Sequence, residues 1–561
     1  MAPRAKSAST KMSKNAKQIP TKIGFAAPTS PQPTALPPSR AHHASYHYPL
    51  LLDERKSCDA LLSWFEGVEE TRSMPWRKRW IDPKEYMGKE EELGVVLGKR
   101  AYEVWVSEVM LQQTRVSTVI PYFNNWISKW PTVQDLANAD HEDVLAAWKG
   151  LGYYSRATRL HEGAKAMIAK ADGASCPLPS KAVELQDFPG IGRYTAGAVS
   201  SIAFGEAEPV LDGNVARVLS RQLGLYMDAK DKKASDMLWD EADRLIKHVS
   251  DTSNTSATPG QWNQALMELG STICTPQPKC TECPIQATCR TYKEGKALSA
   301  KRQAPTTIPD IEDACTFCEP LDTEELVAAA EVDNNDDTPK VAVKRQKRNV
   351  KQSNTLSSYF AIGTPKSTMD TEDEKDSDSK KRKATSPEPN VSASVKSIQT
   401  YCALFPKKVA KKKAAEEQSV VCLVELQVAE GHSKWLIEQR PAKGLLASLW
   451  QFPQSTLSTP TTTPAQRKAS ALKYISGLQL GNMDMSKADY VASFDPLVHV
   501  FTHIRLTMHA YHFRIACDKA EDVALVHAGP PSRRWVETEA MDQQTLSTGM
   551  RKCWDLVAKT I

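Results

Sequence analysis

Four cysteines lie within the short run CTPQPKCTECPIQATC, residues 274–289 of this 561-residue chain. Short turns between thiols at this spacing let each side chain point inward, so the run predicts one metal centre. Spacing alone admits either a zinc ion or an iron–sulfur cluster. In both cases the chain around residues 274–289 must close into a compact knot of turns, which constrains the fold of everything packed against it.

The composition excludes some classes of protein but does not identify a binding partner. The chain has 72 Lys and Arg against 67 Asp and Glu, so its net charge of +5 does not by itself indicate nucleic-acid binding. Twelve cysteines in a long chain that lacks a signal-peptide apolar core favour a reducing compartment. No stretch reaches the ~18 consecutive apolar residues of a membrane span, so we expect a soluble protein without a membrane partner.

Shifts in composition divide the chain into four parts. Residues 1–50 are basic and rich in Ser, Pro and Ala, and they predict a disordered segment. Residues 51–298 carry apolar residues at helical spacing, clearest from Tyr102 to Trp126, and predict an all-α domain. Residues 299–418 are rich in Ser, Thr, Lys and acidic residues and predict a mostly disordered connector. Residues 419–561 contain strand-like runs and predict an α+β domain.

Two carboxylates in the helical region are candidates for catalysis. Helical spacing places Glu108 beside Leu111 on one face, and desolvation there raises the pKa of a carboxyl towards the value a general acid needs. Asp212 precedes a helix and predicts an N-cap. A solvated glutamate and a simple cap are the alternatives for each residue taken alone. Cleavage of a glycosidic bond requires one protonated and one ionised carboxylate, so the two together carry more weight.

A glycine hairpin opens into a predicted helix in FPGIGRY, residues 188–194. Gly190 and Gly192 let backbone N–H groups approach an anion, and the helix N-terminus adds favourable partial charge. A phosphate of DNA fits such a site. An ordinary tight turn between helices is the alternative.

Together these motifs closely resemble the MutY family of adenine DNA glycosylases. The resemblance covers about residues 51–289 and rests on segments that stand in family order: MPWR (74–77), SEVMLQQT (107–114), GLGYY (150–154), PGIGRYT (189–195), DGN (212–214) and the four-cysteine run. It implies a helix-hairpin-helix glycosylase module with a [4Fe–4S] cluster held by Cys274, Cys280, Cys283 and Cys289. Five residues separate the first two of these cysteines where the family has six, so the loop carrying Lys279 is expected to differ.

The resemblance also implies the reaction and the residues that perform it. A monomer binds double-stranded DNA and hydrolyses the N-glycosidic bond of adenine mispaired with 8-oxoguanine or guanine, in base excision repair. Glu108 matches the general acid that protonates N7 of adenine, and Asp212 matches the carboxylate that stabilises the oxocarbenium-like sugar. The remaining matches fall into three groups: supporting polar residues, Tyr194 and Asn214; the pocket around the flipped base, Trp76, Arg77, Leu111 and Glu268; and DNA contacts, Gln112, Gln113, Tyr153, Gly190 and Gly192.

The residue at position 194 distinguishes between relatives. Lyase-competent glycosylases resembling endonuclease III place a lysine there to form a Schiff base, whereas this chain has Tyr194, which implies a monofunctional glycosylase. Two alternatives stay open: an endonuclease III-like glycosylase/lyase, and a non-catalytic lesion-binding scaffold. Retention of both Glu108 and Asp212 argues against the scaffold.

Residues 419–561 resemble the MutT-like, Nudix-fold domain that follows the catalytic module in this family. A hydrolysing Nudix enzyme needs a cluster of carboxylates for magnesium, and Ser455 to Gln479 contains none. The domain is therefore expected to recognise the lesion. By resemblance, the loop that checks for 8-oxoguanine is Phe501, Thr502 and His503, with threonine where the family usually has serine.

Three features of the flanking segments complete the expectations. The pair of cysteines in CTFC, with the context of His47, resembles a zinc site of animal relatives and implies the ligands His47, Cys315 and Cys318; one further connector cysteine is missing, and free thiols are the alternative. Leu356, Tyr359 and Phe360 resemble a sliding-clamp binding box, and a disordered segment with two chance aromatics is the alternative. Basic runs in the connector favour the nucleus, and an N-terminal segment without acidic residues leaves mitochondrial targeting open.

Overall fold

A computed structural model of the chain contains a helical module followed by a domain built on one β-sheet. The structure describes residues 40, 42–250, 255–299, 315–321, 391–409, 414–428, 433–441, 444, 446–457, 463–480, 483–501, 503–517 and 532–560. The predicted all-α and α+β classes are both confirmed. Within the described ranges, no helix has both the length and the apolar character needed to cross a bilayer.

The helical module comprises helices α1 to α12. Their bounds are α1 (Arg55–Val68), α2 (Glu90–Leu111), α3 (Val116–Lys129), α4 (Val133–Asn138), α5 (His141–Ala147), α6 (Ser155–Ala171), α7 (Ala182–Leu185), α8 (Arg193–Phe204), α9 (Gly213–Leu223), α10 (Lys232–Val249), α11 (Thr258–Thr272) and α12 (Arg290–Ser299). The helical pattern predicted from Tyr102 to Trp126 is divided between α2 and α3. The chain turns between them, and Gln113 takes a left-handed backbone conformation there (φ +57°).

Helix α2 runs through the centre of the module. Every side chain from Arg100 to Met110 is buried, so this part of the helix lacks a solvent-facing stripe. Trp105 of α2 belongs to one large apolar cluster that also includes Trp126 and Trp262, and all three side chains are completely buried. Because close-packed interiors tolerate little displacement, this packing fixes the C-terminal end of α2, which carries Glu108.

Two segments at or beyond the edges of the predicted 51–298 region pack against the module. Short 3-10 turns, Ala44–His47 and Leu50–Leu52, precede α1. A further helix, α13 (Val391–Cys402), packs on α12, where a Cβ built at Gly295 would lie 3.3 Å from the Cα of Ile398. Part of the span predicted as a mostly disordered connector is therefore a helix docked on the helical module.

The C-terminal domain contains one eight-stranded sheet. Its strands are β1 (Ala415–Val428), β2 (Ser433–Gln439), β3 (Trp450–Gln451), β4 (Gln454–Thr456), β5 (Asp489–Ser493), β6 (Leu497–Val500), β7 (Ile504–Cys517) and β8 (Arg533–Glu537). The order is β3-β2-β1-β7-β5, with β4 paired to β1, β6 to β7 and β8 to β2. Strands β1 and β7 are parallel, in register from Ala415 with Ile504 to Val428 with Cys517.

Two helices cover opposite faces of this sheet. Alternate residues of β1 point to opposite sides, as the strand period requires. Val420 packs in the same cluster as Ile475 of α14 (Pro464–Ser476), and Val421 packs in the same cluster as Trp554 of α15 (Thr548–Ala558). The sheet is thus buried on both faces.

The two parts of the molecule touch near the end of α5. Lys149 Nζ donates to the carbonyl oxygen of Asp542 at 2.6 Å, and Arg534 Nη1 lies 3.5 Å from Glu142 Oε2. Leu449 belongs to the apolar core of the helical module. These contacts place the C-terminal domain beside the turn that follows α5.

Candidate active site and metal centres

One cleft of about 1140 Å³ collects most of the residues predicted for catalysis, base binding and DNA contact. They come from α2, α8, α9 and α11 and from the loops beside these helices. The predicted residues that line it are Trp76, Arg77, Glu108, Leu111, Gln112, Gln113, Tyr194, Asp212, Asn214 and Glu268. The lining of this cleft does not include Tyr153, Gly190 or Gly192. The tertiary fold therefore brings together both candidate carboxylates, which are far apart in sequence.

Glu108 lies in the last turn of α2 and is only 6% exposed. Burial raises the pKa of Glu108 to about 7. The hydrogen bond from Tyr194 Oη to its Oε2, 2.6 Å long, opposes this shift, as does the charge of Arg77. The charge of Asp212 adds to it. A carboxyl with this pKa is about half protonated at neutral pH, which suits a general acid.

Tyr194 supports the carboxyl of Glu108 from α8. Its hydroxyl lies 3.0 Å from Sδ of Met267 and donates to Glu108. Burial, followed by the neighbouring Glu108, raises the pKa of Tyr194, so the hydroxyl keeps its proton at neutral pH. The contact therefore holds the carboxyl in one orientation.

Asp212 is the N-cap of α9, and the predicted cap is confirmed. Its Oδ1 accepts from the backbone N–H groups of Asn214 at 2.9 Å and Val215 at 2.7 Å, and its Oδ2 accepts from Asn214 Nδ2 at 2.8 Å. Three N–H donors and the positive end of the helix dipole complement a negative charge at this position.

Arg217, which the sequence analysis did not single out, connects this carboxylate to the cysteine run. Its Nη2 donates to Asn214 Oδ1 at 2.9 Å and to the carbonyl oxygen of Gly270 at 2.6 Å. Its Nε donates to the carbonyl oxygen of Cys274 at 2.8 Å. The helical spacing of three residues from Asn214 was the one sequence signal for this contact.

Glu268 is held by two arginines at the rim of the cleft. Arg77 Nη2 lies 2.6 Å from one carboxylate oxygen and Arg72 Nη1 lies 3.1 Å from the other. The carboxylate side chain is 3% exposed, so its charge is compensated inside the protein. Trp76 is buried and Leu111 is half-buried in the same lining. Arg72 was not predicted.

Gln113 and Tyr153 stand on two loops joined by a buried arginine. Both have left-handed backbone conformations, with φ of +57° and +47°, and Tyr153 is 51% exposed. Arg156 Nη1 donates to the carbonyl oxygen of Gln112 at 2.8 Å, and its Nη2 donates to that of Gly152 at 3.2 Å. Arg156 was not predicted. Its guanidinium fixes the two loops relative to each other.

The two glycines of the hairpin have different surroundings. Gly190 has a φ of +80°, and a Cβ there would lie 2.9 Å from the Cβ of Arg159. Gly192 is the N-cap of α8, and a Cβ there would meet nothing within 4 Å. The hairpin thus requires glycine at 190, and open space lies beside the N-terminus of α8 at 192.

The four cysteines of the run line a common cavity on α9 and α11. Arg221 adds positive charge, with Nη1 3.3 Å from the Sγ of Cys274. Four converging thiols beside a guanidinium fit a thiolate-bound cluster, whose net charge is negative. The predicted ligands are therefore brought together: Cys274, Cys280, Cys283 and Cys289.

A second group of ligand atoms lies between the N-terminal turn and the connector. Among the described residues, His42, His47, Cys315 and Cys318 form the one group of this kind whose ligand atoms all lie within 4.8 Å of one another. His47 Nε2 is 3.3 Å from the Sγ of Cys315 and 3.4 Å from that of Cys318. Two imidazoles and two thiols are a donor set for tetrahedral zinc.

His42 was not predicted, because the resemblance implied a further connector cysteine as the remaining ligand. Its Nε2 lies 2.9 Å from that of His47, so His42 supplies a fourth donor atom beside His47, Cys315 and Cys318. His47 Nδ1 contacts the carbonyl oxygen of Leu223 at 2.9 Å, which orients the ring. The local sequence HHASYH offered three histidines without showing which one turns inward.

The predicted lesion loop lies between β6 and β7. The backbone N–H of Phe501 donates to the carbonyl oxygen of Ile504 at 2.7 Å, and the rings of Phe501 and His499 are 4.5 Å apart. His503 is exposed. Thr502 lies outside the described residues, as do the predicted clamp-box residues Leu356, Tyr359 and Phe360.

Comparisons with known proteins agree with this architecture. Residues 106–243 match the family described as HhH-GPD superfamily base excision DNA repair protein, and residues 426–556 match the NUDIX domain family. An adenine DNA glycosylase of Homo sapiens is 35% identical over 496 residues, which cover 88% of this chain and 72% of that protein. One of Schizosaccharomyces pombe is 30% identical over 479 residues, covering 84% of each chain.

Among solved structures, a thermostable thymine-DNA glycosylase is similar to 42% of this chain and 95% of its own. The identity is 23% and the TM-score 0.33, so that likeness supports no conclusion about the site.

Proposed function

The chain belongs to the adenine DNA glycosylase family, and we propose that it removes adenine from double-stranded DNA where adenine is mispaired with 8-oxoguanine or guanine. The reaction is hydrolysis of the N-glycosidic bond, the first step of base excision repair. The observation that carries the proposal is that Glu108 and Asp212 line one cleft in contrasting environments. Cleavage of a glycosidic bond needs one carboxyl group to give a proton and a second to bear charge.

Glu108 is the proposed general acid. Its pKa of about 7 leaves a substantial fraction protonated at neutral pH, and it then protonates N7 of the flipped adenine and makes the base a leaving group. Tyr194 keeps the carboxyl oriented towards the cleft, since its own hydroxyl stays protonated.

Asp212 is the proposed stabiliser of the sugar cation. Its carboxylate is fixed by Asn214 and by the N-terminus of α9, so it needs no reorganisation when positive charge develops at C1′. Transient bonding to C1′ followed by attack of water parallels a retaining glycosidase.

The remaining lining accounts for binding of the extruded base. Flipping costs a few kcal/mol of unstacking, which the pocket must offset. Trp76 and Leu111 supply apolar surface, while Glu268, held by Arg77, presents a fixed polar edge. Gln112, Gln113, Tyr153 and the hairpin glycines are the proposed DNA contacts outside the base pocket.

The cysteine run is proposed to hold a [4Fe–4S] cluster. Its four thiols and the guanidinium of Arg221 support this assignment, and such a cluster would fix the segment after α11 that Arg217 joins to Asn214. The ligands are Cys274, Cys280, Cys283 and Cys289.

A zinc ion is proposed at the second group, with His42 completing the predicted set of His47, Cys315 and Cys318. Zinc there joins the N-terminal turn to residues 315–321, two segments separated by almost the whole helical module. The free energy of zinc binding would thereby stabilise the contact between these two short segments.

The proposed roles of the C-terminal loop and the connector rest on the resemblance of their sequences to the family. Phe501, Thr502 and His503 are proposed to recognise 8-oxoguanine, and Leu356, Tyr359 and Phe360 to bind a sliding clamp. We assign the enzyme to the nucleus, with a mitochondrial form as the second location to examine.

A single-turnover assay tests the activity. Duplexes carry one adenine opposite 8-oxoguanine, guanine or thymine, and released adenine is measured with enzyme in excess. The wild type should release adenine from the first two, and Glu108→Gln should slow release by roughly 10²- to 10⁴-fold. Glu103→Gln is the matched control, because Glu103 is buried in the same helix but pairs with Lys78 away from the cleft.

The results separate the alternatives. Mismatch binding without release by the wild type would establish the scaffold, and full release by Glu108→Gln would overturn the assignment of the acid. The wild type should leave the strand intact at the abasic site until alkali is added, because position 194 is tyrosine; strand cleavage by β-elimination without alkali would identify a glycosylase/lyase.

A further inference from the structure

A fifth cysteine lines the cavity of the four-cysteine run. Cys402 is the last residue of α13 and is 1% exposed. It lies within the span predicted as the connector, more than a hundred positions after Cys289. Cys280, one of the four cysteines of the run, lines the same cavity. No motif of the sequence includes Cys402, and neither the base chemistry nor the four-ligand set uses it.

Several independent contacts hold α13 in this place. Tyr401 Oη donates to Glu294, a buried carboxylate of α12 that also accepts from Tyr46 Oη at 2.8 Å. Just after the helix, the carbonyl oxygen of Phe405 accepts from Arg221 Nε at 3.0 Å. The position of Cys402 is therefore set from both sides by groups other than its own thiol.

The same guanidinium reaches into the cluster site. Arg221 Nη1 lies 3.3 Å from the Sγ of Cys274, so one side chain contacts both a cluster ligand and the chain that follows α13. Gly295 allows the close approach of α13 to α12, the helix that begins directly after Cys289. The cavity is thus bounded on one side by α13.

We propose that Cys402 is a hydrogen-bond donor to the cluster, with its S–H directed at the sulfur of Cys280. The proposal rests on the [4Fe–4S] assignment made above. The run already supplies four thiolates, a complete ligand set, so a fifth thiol is left protonated and acts as a donor. Cys280 as a ligand is a thiolate and accepts.

This contact has two physical consequences. A hydrogen bond to a cluster sulfur stabilises the more negative oxidation state, so it raises the reduction potential. The buried helix end also excludes water from the cluster, which slows its loss.

The test uses the full chain with its cluster. Cys402→Ala should lower the reduction potential measured by spectroelectrochemistry and speed loss of the cluster to a chelator by about 2- to 10-fold, as expected for one lost hydrogen bond. Cys402→Ser keeps a donor of similar size and should stay near wild type in potential. Cys58→Ala is the matched control, since Cys58 is a completely buried thiol of the helical module that does not line this cavity.

A second variant separates the thiol from the docking of the helix. Tyr401→Phe removes the bond to Glu294 and leaves Cys402 in place, so the potential should stay close to wild type. A potential shifted as much by Tyr401→Phe as by Cys402→Ala would overturn the proposal, because docking alone would then be responsible.

Other outcomes are equally decisive. Unchanged potential and cluster lifetime in Cys402→Ala would overturn the proposal while leaving the cluster assignment intact. Complete loss of iron from a folded Cys402→Ala protein would make Cys402 a ligand, which also overturns it. A wild type that holds no iron would overturn the cluster assignment itself.

Discussion

The buried carboxyl of Glu108 should make stability depend on pH in a way that a single substitution reveals. Its pKa is about 7 in the folded protein against an ordinary value of 4.5. Between these values the folded chain keeps a proton that the unfolded chain has lost, so the native state becomes less stable as pH rises through this window. The difference of about 2.5 units corresponds to roughly 3 kcal/mol, reached above pH 7 and absent below pH 4.5.

Glu108→Gln removes this titration and keeps the shape of the side chain. The free energy of unfolding of the variant minus that of the wild type should increase by roughly 2.5 kcal/mol from pH 5 to pH 8, because most of the window lies between them. Urea unfolding of the full chain at several pH values, followed by far-UV circular dichroism, measures this difference.

The titration of Glu108 should also appear in the catalytic rate. The single-turnover rate of the wild type should be constant below pH 7 and fall towards tenfold per pH unit above it, since only protonated Glu108 gives a proton. An equal stability difference at pH 5 and pH 8 would mean that native Glu108 is already ionised, and a rate that rises through pH 7 would mean that the reaction needs a deprotonated group. Either result would refute the reasoning.

Three further substitutions test the surroundings of the site. Gly190→Ala should lose more stability than Gly173→Ala. Both glycines have a φ of +80°, where alanine costs about 1–2 kcal/mol in strain, but only at position 190 would the added Cβ also clash with Arg159. Equal losses in urea unfolding would contradict this. Arg156→Met should weaken binding of a mismatched duplex roughly 10- to 100-fold in fluorescence anisotropy, because charged hydrogen bonds of about 1.5–3 kcal/mol fix both loops, and an unchanged Kd would count against it. His42→Ala should lower the zinc content of purified protein towards zero by mass spectrometry, and full zinc retention would exclude His42 as a ligand.

Much of the fold followed from local patterns. Helical spacing of apolar residues predicted the all-α module and strand-like runs predicted the α+β domain, since both patterns reflect which faces must be buried. Local patterns failed where tertiary packing decides the backbone. The segment of helical spacing from Tyr102 to Trp126 is divided by a turn with Gln113 in the left-handed conformation, which the spacing did not indicate. Helix α13 formed inside a polar segment because Ile398 and Tyr401 find a partner in α12.

The sequence by itself determined the chemical inventory of this protein. It showed two carboxylates in the right motifs, a tyrosine in place of a Schiff-base lysine, and four thiols at metal-binding spacing. These chemical properties depend on the type of each residue and on its spacing from nearby residues, and both can be read from the sequence. The N-cap at Asp212 belongs to the same class, because a cap depends on its next three residues alone.

Only the tertiary structure decided which of these groups meet and in what environment. The pKa of Glu108 depends on burial by several helices, His42 meets Cys315 across the module, and Cys402 of the connector lines the cavity of the four-cysteine run. Electrostatic and hydrogen-bond energies depend on distance and on exclusion of water, and neither quantity is encoded by separation along the chain. For that reason the reacting groups were visible in the sequence, while the arginines, histidine and thiol that position or tune them emerged only once the chain was folded.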